Sequence, residues 1–171
     1  MQALYRLLSA LLLCACSAEK SPPQTVNEDT YFPISIGKTT PELQLALTEA
    51  EWSRGLMHRD ELPEDHGMLF LFKQSGRRSF WMRNTSIPLD LAYFDATGTL
   101  LEIHSLYPYD ENSVYSYSEE VLIAVEMNQG WFSGKAIRPG AKLDLKALAE
   151  AVTRRGYSIV SYPLERNVTT D

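Results

Sequence analysis

Asp90 is the residue whose surroundings best suit it for chemistry. It stands between Leu89 and Leu91 in an otherwise apolar segment. An ionised carboxylate drawn out of water must find partners or shift its pKa. Asn84, Thr85 and Ser86 lie just upstream, and Arg59 and Arg83 belong to the same stretch. Two readings of this island stay open. In one, Asp90 accepts hydrogen bonds from the loop over 84–88 and staples it. In the other, Arg59, Trp81, Arg83, Asn84, Thr85 and Asp90 line a shallow ligand pocket, the carboxylate acting as base or anchor and an arginine as anion clamp.

Other side chains suggest other chemistry. His58, His66 and His104 are the only histidines, and with Met57, Met68, Met82 and Trp81 they raise a Cu(I) site, since thioethers suit that ion. No histidine pair has helical ligand spacing, and methionines among Phe and Leu serve as core filler, so no metal and no cofactor is expected. Ser79, Ser86 and Ser133 lack a G-x-S-x-G setting. The pairs Asp60-Glu61 and Glu64-Asp65 read as a solvated loop, not an acid/base couple. The sequons at Asn84 and Asn167 carry no functional weight here. Tyr107, Tyr109, Tyr115 and Tyr117 crowd the polar segment over 105–118. Such rings either contact a sugar or protein partner or cover a sheet edge with their hydroxyls in water.

The N-terminus addresses the chain. Arg6 precedes the apolar run over 7–13, which is too short to span a bilayer, and Leu13-Cys14-Ala15-Cys16 follows. This is the form of a lipoprotein signal over 1–15, with Cys16 acylated. Three acyl chains would anchor the protein stably to a membrane. Ser17, where aspartate favours inner-membrane retention in many Gram-negative bacteria, points by resemblance to the outer membrane, with the domain facing the periplasm. Cys14 and Cys16 are the only cysteines, so a disulfide framework, thiol catalysis and Cys-ligated metal are excluded. The net charge is −6, and removing residues 1–15 takes only one charge, that of Arg6. An acidic chain has little electrostatic grip on nucleic acid.

Elements must position these groups. The segment over 16–30 is polar with Pro22-Pro23 and reads as a tether. Leu43, Leu45 and Leu47 alternate, predicting a half-buried strand over 42–48. Thr48-Glu49-Ala50-Glu51 has the form of a capping box, predicting a helix over 49–57. Strands are then predicted over 67–72, 80–83, 89–94, 99–104, 121–126 and 142–145, with a hairpin turn at 95–98. Asp144 is placed to cap a helix over 146–155 that ends at Gly156, and 157–162 alternates like an added edge strand. Short strands at regular spacing predict a mainly β domain, an antiparallel sandwich or partly open barrel with one short helix, over 31–145. A helix-strand extension follows over 146–171.

Several blocks recur together: Gly55-Leu56-Met57 with Arg59, Gly67-Met68-Leu69-Phe70, Phe80-Trp81-Met82, Asn84-Thr85, Pro88-Leu89-Asp90 and Gly98. The run over 121–126, Gly130 and Gly140 complete the set. The combination resembles the prokaryotic family known as domain of unknown function 192 over residues 42–145. The resemblance implies a distorted, mainly β sandwich carrying one helix. It brings no reaction and no catalytic residue, and it stops before the tail. The function read from the sequence is a non-enzymatic, envelope-anchored domain that binds a ligand or protein partner. The alternatives are an enzyme acting on an envelope polymer with Asp90 as base, and a periplasmic copper-handling protein.

Overall fold

The computed structural model describes residues 26–164. The expected signal and Cys16 lie outside them. Six strands form one sheet: β1 (Tyr31–Pro33), β2 (Glu42–Ala46), β3 (His66–Leu71), β5 (Leu89–Phe94), β6 (Leu100–Leu106) and β8 (Ile123–Asn128), in the order β1-β2-β3-β8-β5-β6. Two short strands, β4 (Ser79–Phe80) and β7 (Val114–Tyr115), pair separately. The domain is mainly β and forms no closed barrel among the described residues. One pairing departs from the antiparallel expectation: β2 and β3 run parallel, with Leu43 beside Gly67 and Leu45 beside Leu69. A parallel pair needs a crossover, and α1 (Glu49–Arg54) provides it.

The capping box forms as the sequence predicts. Thr48 Oγ1 accepts from the Glu51 amide at 3.3 Å, and Glu51 Oε2 accepts from the Thr48 amide at 2.9 Å. The helix ends earlier than expected, because Gly55 turns the chain with φ of 47°.

The pleat sends alternate side chains to opposite faces of the sheet, and both faces are covered. On the first face Leu43, Leu45, Leu69, Val125, Ala92 and Phe94 form one core. It is closed by α2 (Trp131–Gly134) and by α3 (Leu145–Arg154), which contributes Leu148, Ala151 and Val152. On the second face Ala46, Met68, Phe70, Leu91, Tyr93 and Ala124 form another, under Leu56, Met82 and Ile87 from the loops. Strand β2 is therefore buried on both sides, not one. Gly67 has no room for a side chain: a Cβ there would sit 2.4 Å from the Glu126 carbonyl oxygen.

Three further expectations are corrected. The strand over 80–83 stops at Phe80, where the chain turns toward the positive φ of Asn84. Residues 142–145 make only single bridges, Lys142 to Thr99 and Leu143 to Ile36, before Asp144 caps α3. The tail over 157–162 does not add a strand. It forms a 3₁₀ turn (Ile159–Ser161) that seats Tyr162 in the first core, so its alternation reflects one buried ring, not a sheet edge. Residues 26–30 of the expected tether are fastened to the domain: the Asp29 carbonyl accepts from Gln44 Nε2 at 3.0 Å.

Candidate functional site

The sheet separates residues that the sequence groups together. Asp90 pairs with Met127 and Leu91 with Glu126, so Asp90 and Glu126 project from opposite faces. Asp90 is buried and fully engaged. Its Oδ1 accepts from Ser105 Oγ at 3.1 Å, and its Oδ2 from the Gly130 amide at 2.8 Å. It thus fastens β6 and the turn before α2, not the loop over 84–88. That loop is held otherwise: the Asn84 carbonyl accepts from the His58 amide at 2.9 Å, and Ser86 Oγ donates to the Arg59 carbonyl at 2.9 Å. A hollow of about 360 Å³ beside Asp90 is bordered by Ser105, Gly130 and Arg138. None of Arg59, Trp81, Arg83, Asn84 or Thr85 borders it.

The second face carries a different acid. Glu126 sits on β8, in the interior of the sheet, flanked by Met68 and Leu91. It is 4% exposed, and no hydrogen bond to its carboxyl forms among the described residues. Burial pushes its pKa up to about 8, against the opposing charge of Arg59. At neutral pH it is mostly a neutral acid, able to donate and to accept. Its Oε2 lies 3.8 Å from the position a Cβ would take on Gly55, so the carboxyl comes up against the turn that ends α1.

That turn borders a groove. Glu126 floors a small hollow with room for a water-sized group, walled by Gly55, Met57, Phe70, Trp81 and Thr85. An adjoining hollow of about 370 Å³ shares Trp52, Ser53, Phe70, Phe80 and Trp81 with it and ends at Arg77 and Arg78. The aromatics are held in set orientations. Trp52 Nε1 donates to the Ala46 carbonyl at 2.9 Å, and its ring lies 5.3 Å from Phe72. Phe80 meets Phe70 edge-on at 4.9 Å. Trp81 is 43% exposed at the rim, with the Arg83 guanidinium 5.5 Å from its ring. Near Thr85, Asn84 holds positive φ without being glycine, as does His58, whose amide donates to the Asn84 carbonyl.

Of the residues singled out in the sequence, Trp81 and Thr85 border this groove and Arg83 stacks at its rim. Asn84 is exposed and does not line it. Arg59 lies deeper, donating to Tyr31 Oη at 3.2 Å and to Gln44 Oε1. Tyr107, Tyr109, Tyr115 and Tyr117 are all more than half exposed. Tyr115 does not line the groove but lies against one of its residues, with the Arg77 guanidinium 5.2 Å from its ring. Among the described residues, no group of three or more His, Cys, Asp or Glu side chains is placed to hold a metal ion. His66 packs edge-on against Tyr31, His104 pairs with Glu102 at 2.6 Å, and Met68 and Met82 are core.

Sequence reasoning overlooked Glu126, although its signal matched that of Asp90: one carboxyl inside the apolar run over 121–127. It also overlooked Trp52, within the segment expected to be a helix, and the Arg77-Arg78 pair.

A family model for DUF192, described as an uncharacterised ACR, matches residues 32–145. The chain belongs to the DUF192 family. Similar solved structures include a protein of unknown function from Novosphingobium aromaticivorans DSM 12444. It is 34% identical with a TM-score of 0.63, over 66% of this chain and 84% of that one. Another, from Sinorhizobium meliloti 1021, is described as a proposed transcription regulator. It is 28% identical with a TM-score of 0.65, over 69% of this chain and 95% of that one. No curated protein matches the chain. The family and these neighbours support the fold and carry no reaction.

Proposed function

We propose that this DUF192 protein is a non-enzymatic, lipid-anchored binding domain of the cell envelope, and that the groove between α1 and β4 is its ligand seat. The observation that carries this is Glu126, an almost fully buried carboxyl that no hydrogen bond engages among the described residues, bordering an open, aromatic-walled groove. Leaving such a group unsatisfied costs stability, and a ligand hydroxyl or amide would satisfy it. Binding is favoured over catalysis because, among the described residues, no second carboxyl borders the groove. Hydrolysis of a glycosidic polymer ordinarily needs two. Asp90, the base of the enzymatic alternative, lies across the sheet with both oxygens engaged. One structural neighbour is described as a transcription regulator; if that role meant direct contact with DNA it would call for a basic face, and the net charge here is −6.

The anchoring rests on Leu13, Ala15 and Cys16. Cys16→Ala is expected to release the protein from membranes or stall its processing, and unchanged fractionation would refute it. The binding role is tested by pull-down of the anchored protein from its own envelope, beside Glu126→Gln and Trp81→Ala proteins that melt normally. A molecule retained by the wild type and lost from both variants supports the groove. Equal retention by all three overturns it.

A further inference from the structure

We infer that the ligand of this groove is an acidic sugar, its ring stacked on the aromatic wall and its carboxylate or phosphate held by Arg77 and Arg78. The inference rests on the groove being the ligand seat and specifies what fills it. Charge comes first. The chain is acidic overall, yet two adjacent arginines close one end of the groove, and neither forms an ion pair among the described residues. Arg78 lies flat over Phe72, 4.1 Å from the ring centroid, and one Nη donates to the Gln74 carbonyl. Its Nε is buried with no acceptor. Burial holds its pKa below the usual guanidinium value, and no carboxylate offsets that cost. Arg77 spends its Nε on the Ser116 carbonyl at 3.0 Å, which leaves its outer N–H groups free to fork onto an anion.

The body of the ligand follows from the walls. The groove is half open, with Trp81 exposed at the rim and Trp52 half-buried. A wholly apolar ligand would leave much of its surface wet there. A pyranose has one apolar C–H face for an aromatic wall and a polar edge for water. Its hydroxyls also suit the remaining groups: the exposed Ser53 and Ser79 on the walls, and, in the small adjoining hollow, the carboxyl of Glu126, which when protonated can donate to one hydroxyl and accept from its neighbour. The volume, about 370 Å³, lies within the usual range for small-molecule sites and suits one or two sugar rings.

The test uses the full-length protein in detergent and reads its tryptophan fluorescence on titration with glucuronate, glucose 6-phosphate and glucose. One charged sugar should bind at least tenfold more tightly than glucose, and which one identifies the anion. That advantage should fall tenfold or more in Arg77→Met, and also in Arg78→Met, which keeps the packing on Phe72. Equal binding of all three sugars overturns the inference, as does failure of both charged sugars to bind. A charge preference that survives both substitutions overturns it as well. The reading of the groove as a ligand seat is judged separately, by the Glu126 and Trp81 variants against envelope.

Discussion

Glu126 and Asp90 show how much a residue's role depends on the face it is given. Both are single carboxyls in apolar strands, and they are near neighbours in the sheet. Asp90 found two donors, Ser105 and the Gly130 amide, and acts as a staple. Asp90→Ala leaves those donors unpaired and should cost about 1–3 kcal/mol in denaturant melts. Asp90→Asn keeps one acceptor and should cost less. Glu126 finds no donor among the described residues, and burial raises its pKa from 4.5 to about 8. The sign of the linkage follows. Below pH 4.5 both folded and unfolded chains carry the proton. Above it the unfolded chain ionises while the folded one does not, so stability falls as pH rises toward 8, by up to about 1.4 kcal/mol per pH unit. Between pH 4.5 and 8, Glu126→Gln should flatten that slope. A wild-type stability that rises steadily across this window would show that Glu126 is not buried as a neutral acid.

At the scale of elements, the sequence showed what local chemistry dictates. Thr48 and Glu51 announced α1, Asp144 announced α3, and the turn at 95–98 announced the β5–β6 hairpin, where Asp95 Oδ1 accepts from the Thr97 and Thr99 amides. Thr48→Ala should cost about 1 kcal/mol, as lost caps do. Pairing partners were not legible. Nothing in Leu43, Leu45 and Leu47 says that β2 lies parallel to β3, or that Gln44 and Ala46 are buried too, because that depends on what covers the second face. The site was half legible for the same reason. Trp81 and Thr85 stood in a conspicuous motif, whereas Glu126 joins them only through the register of β8 with β3 and β5. Long-range ties were equally hidden. Arg155, at the end of α3, donates to Glu51 of α1 at 2.5 Å and to the Leu45 carbonyl at 2.7 Å. Burial works to raise the Glu51 pKa, but hydrogen bonds from the Leu47 amide and from Arg155, with the charge of Arg155, hold it below the ordinary carboxylate value. The stability this contributes is present above pH 4.5 and is lost as pH falls through the folded value. Arg155→Met should remove about 3–5 kcal/mol near neutral pH, the usual effect of stranding one partner of a buried pair. It should also move acid unfolding to higher pH.

At the scale of the whole molecule, the family match and the folded unit do not end together. The match stops at residue 145, and the sequence invites a division there into a domain and an extension. The structure gives α3 and the turn after it a share of the first core. Leu148 and Val152 are fully buried against the sheet, and Tyr162 Oη donates to the Leu47 carbonyl at 3.4 Å. Cutting the chain after Leu145 would leave Leu43, Leu45 and Leu69 without their cover and Glu51 without Arg155. The expected outcome is a protein that aggregates or melts without a cooperative transition, even though every residue of the family match is present. Leu148→Ala serves as the milder version, because it keeps α3 and opens a cavity, at a cost of about 2–5 kcal/mol. A truncated chain that melts as the wild type does, together with a neutral Leu148→Ala, would show that the domain closes its core without the tail. The groove gives a second measure of the same idea. Its wall at Trp52 stands on α1, and α1 is tied to α3 through Glu51 and Arg155. Arg155→Met is therefore expected to weaken ligand binding at the groove as well as stability, although it touches no groove residue, and Leu148→Ala should lower stability with a smaller effect on binding.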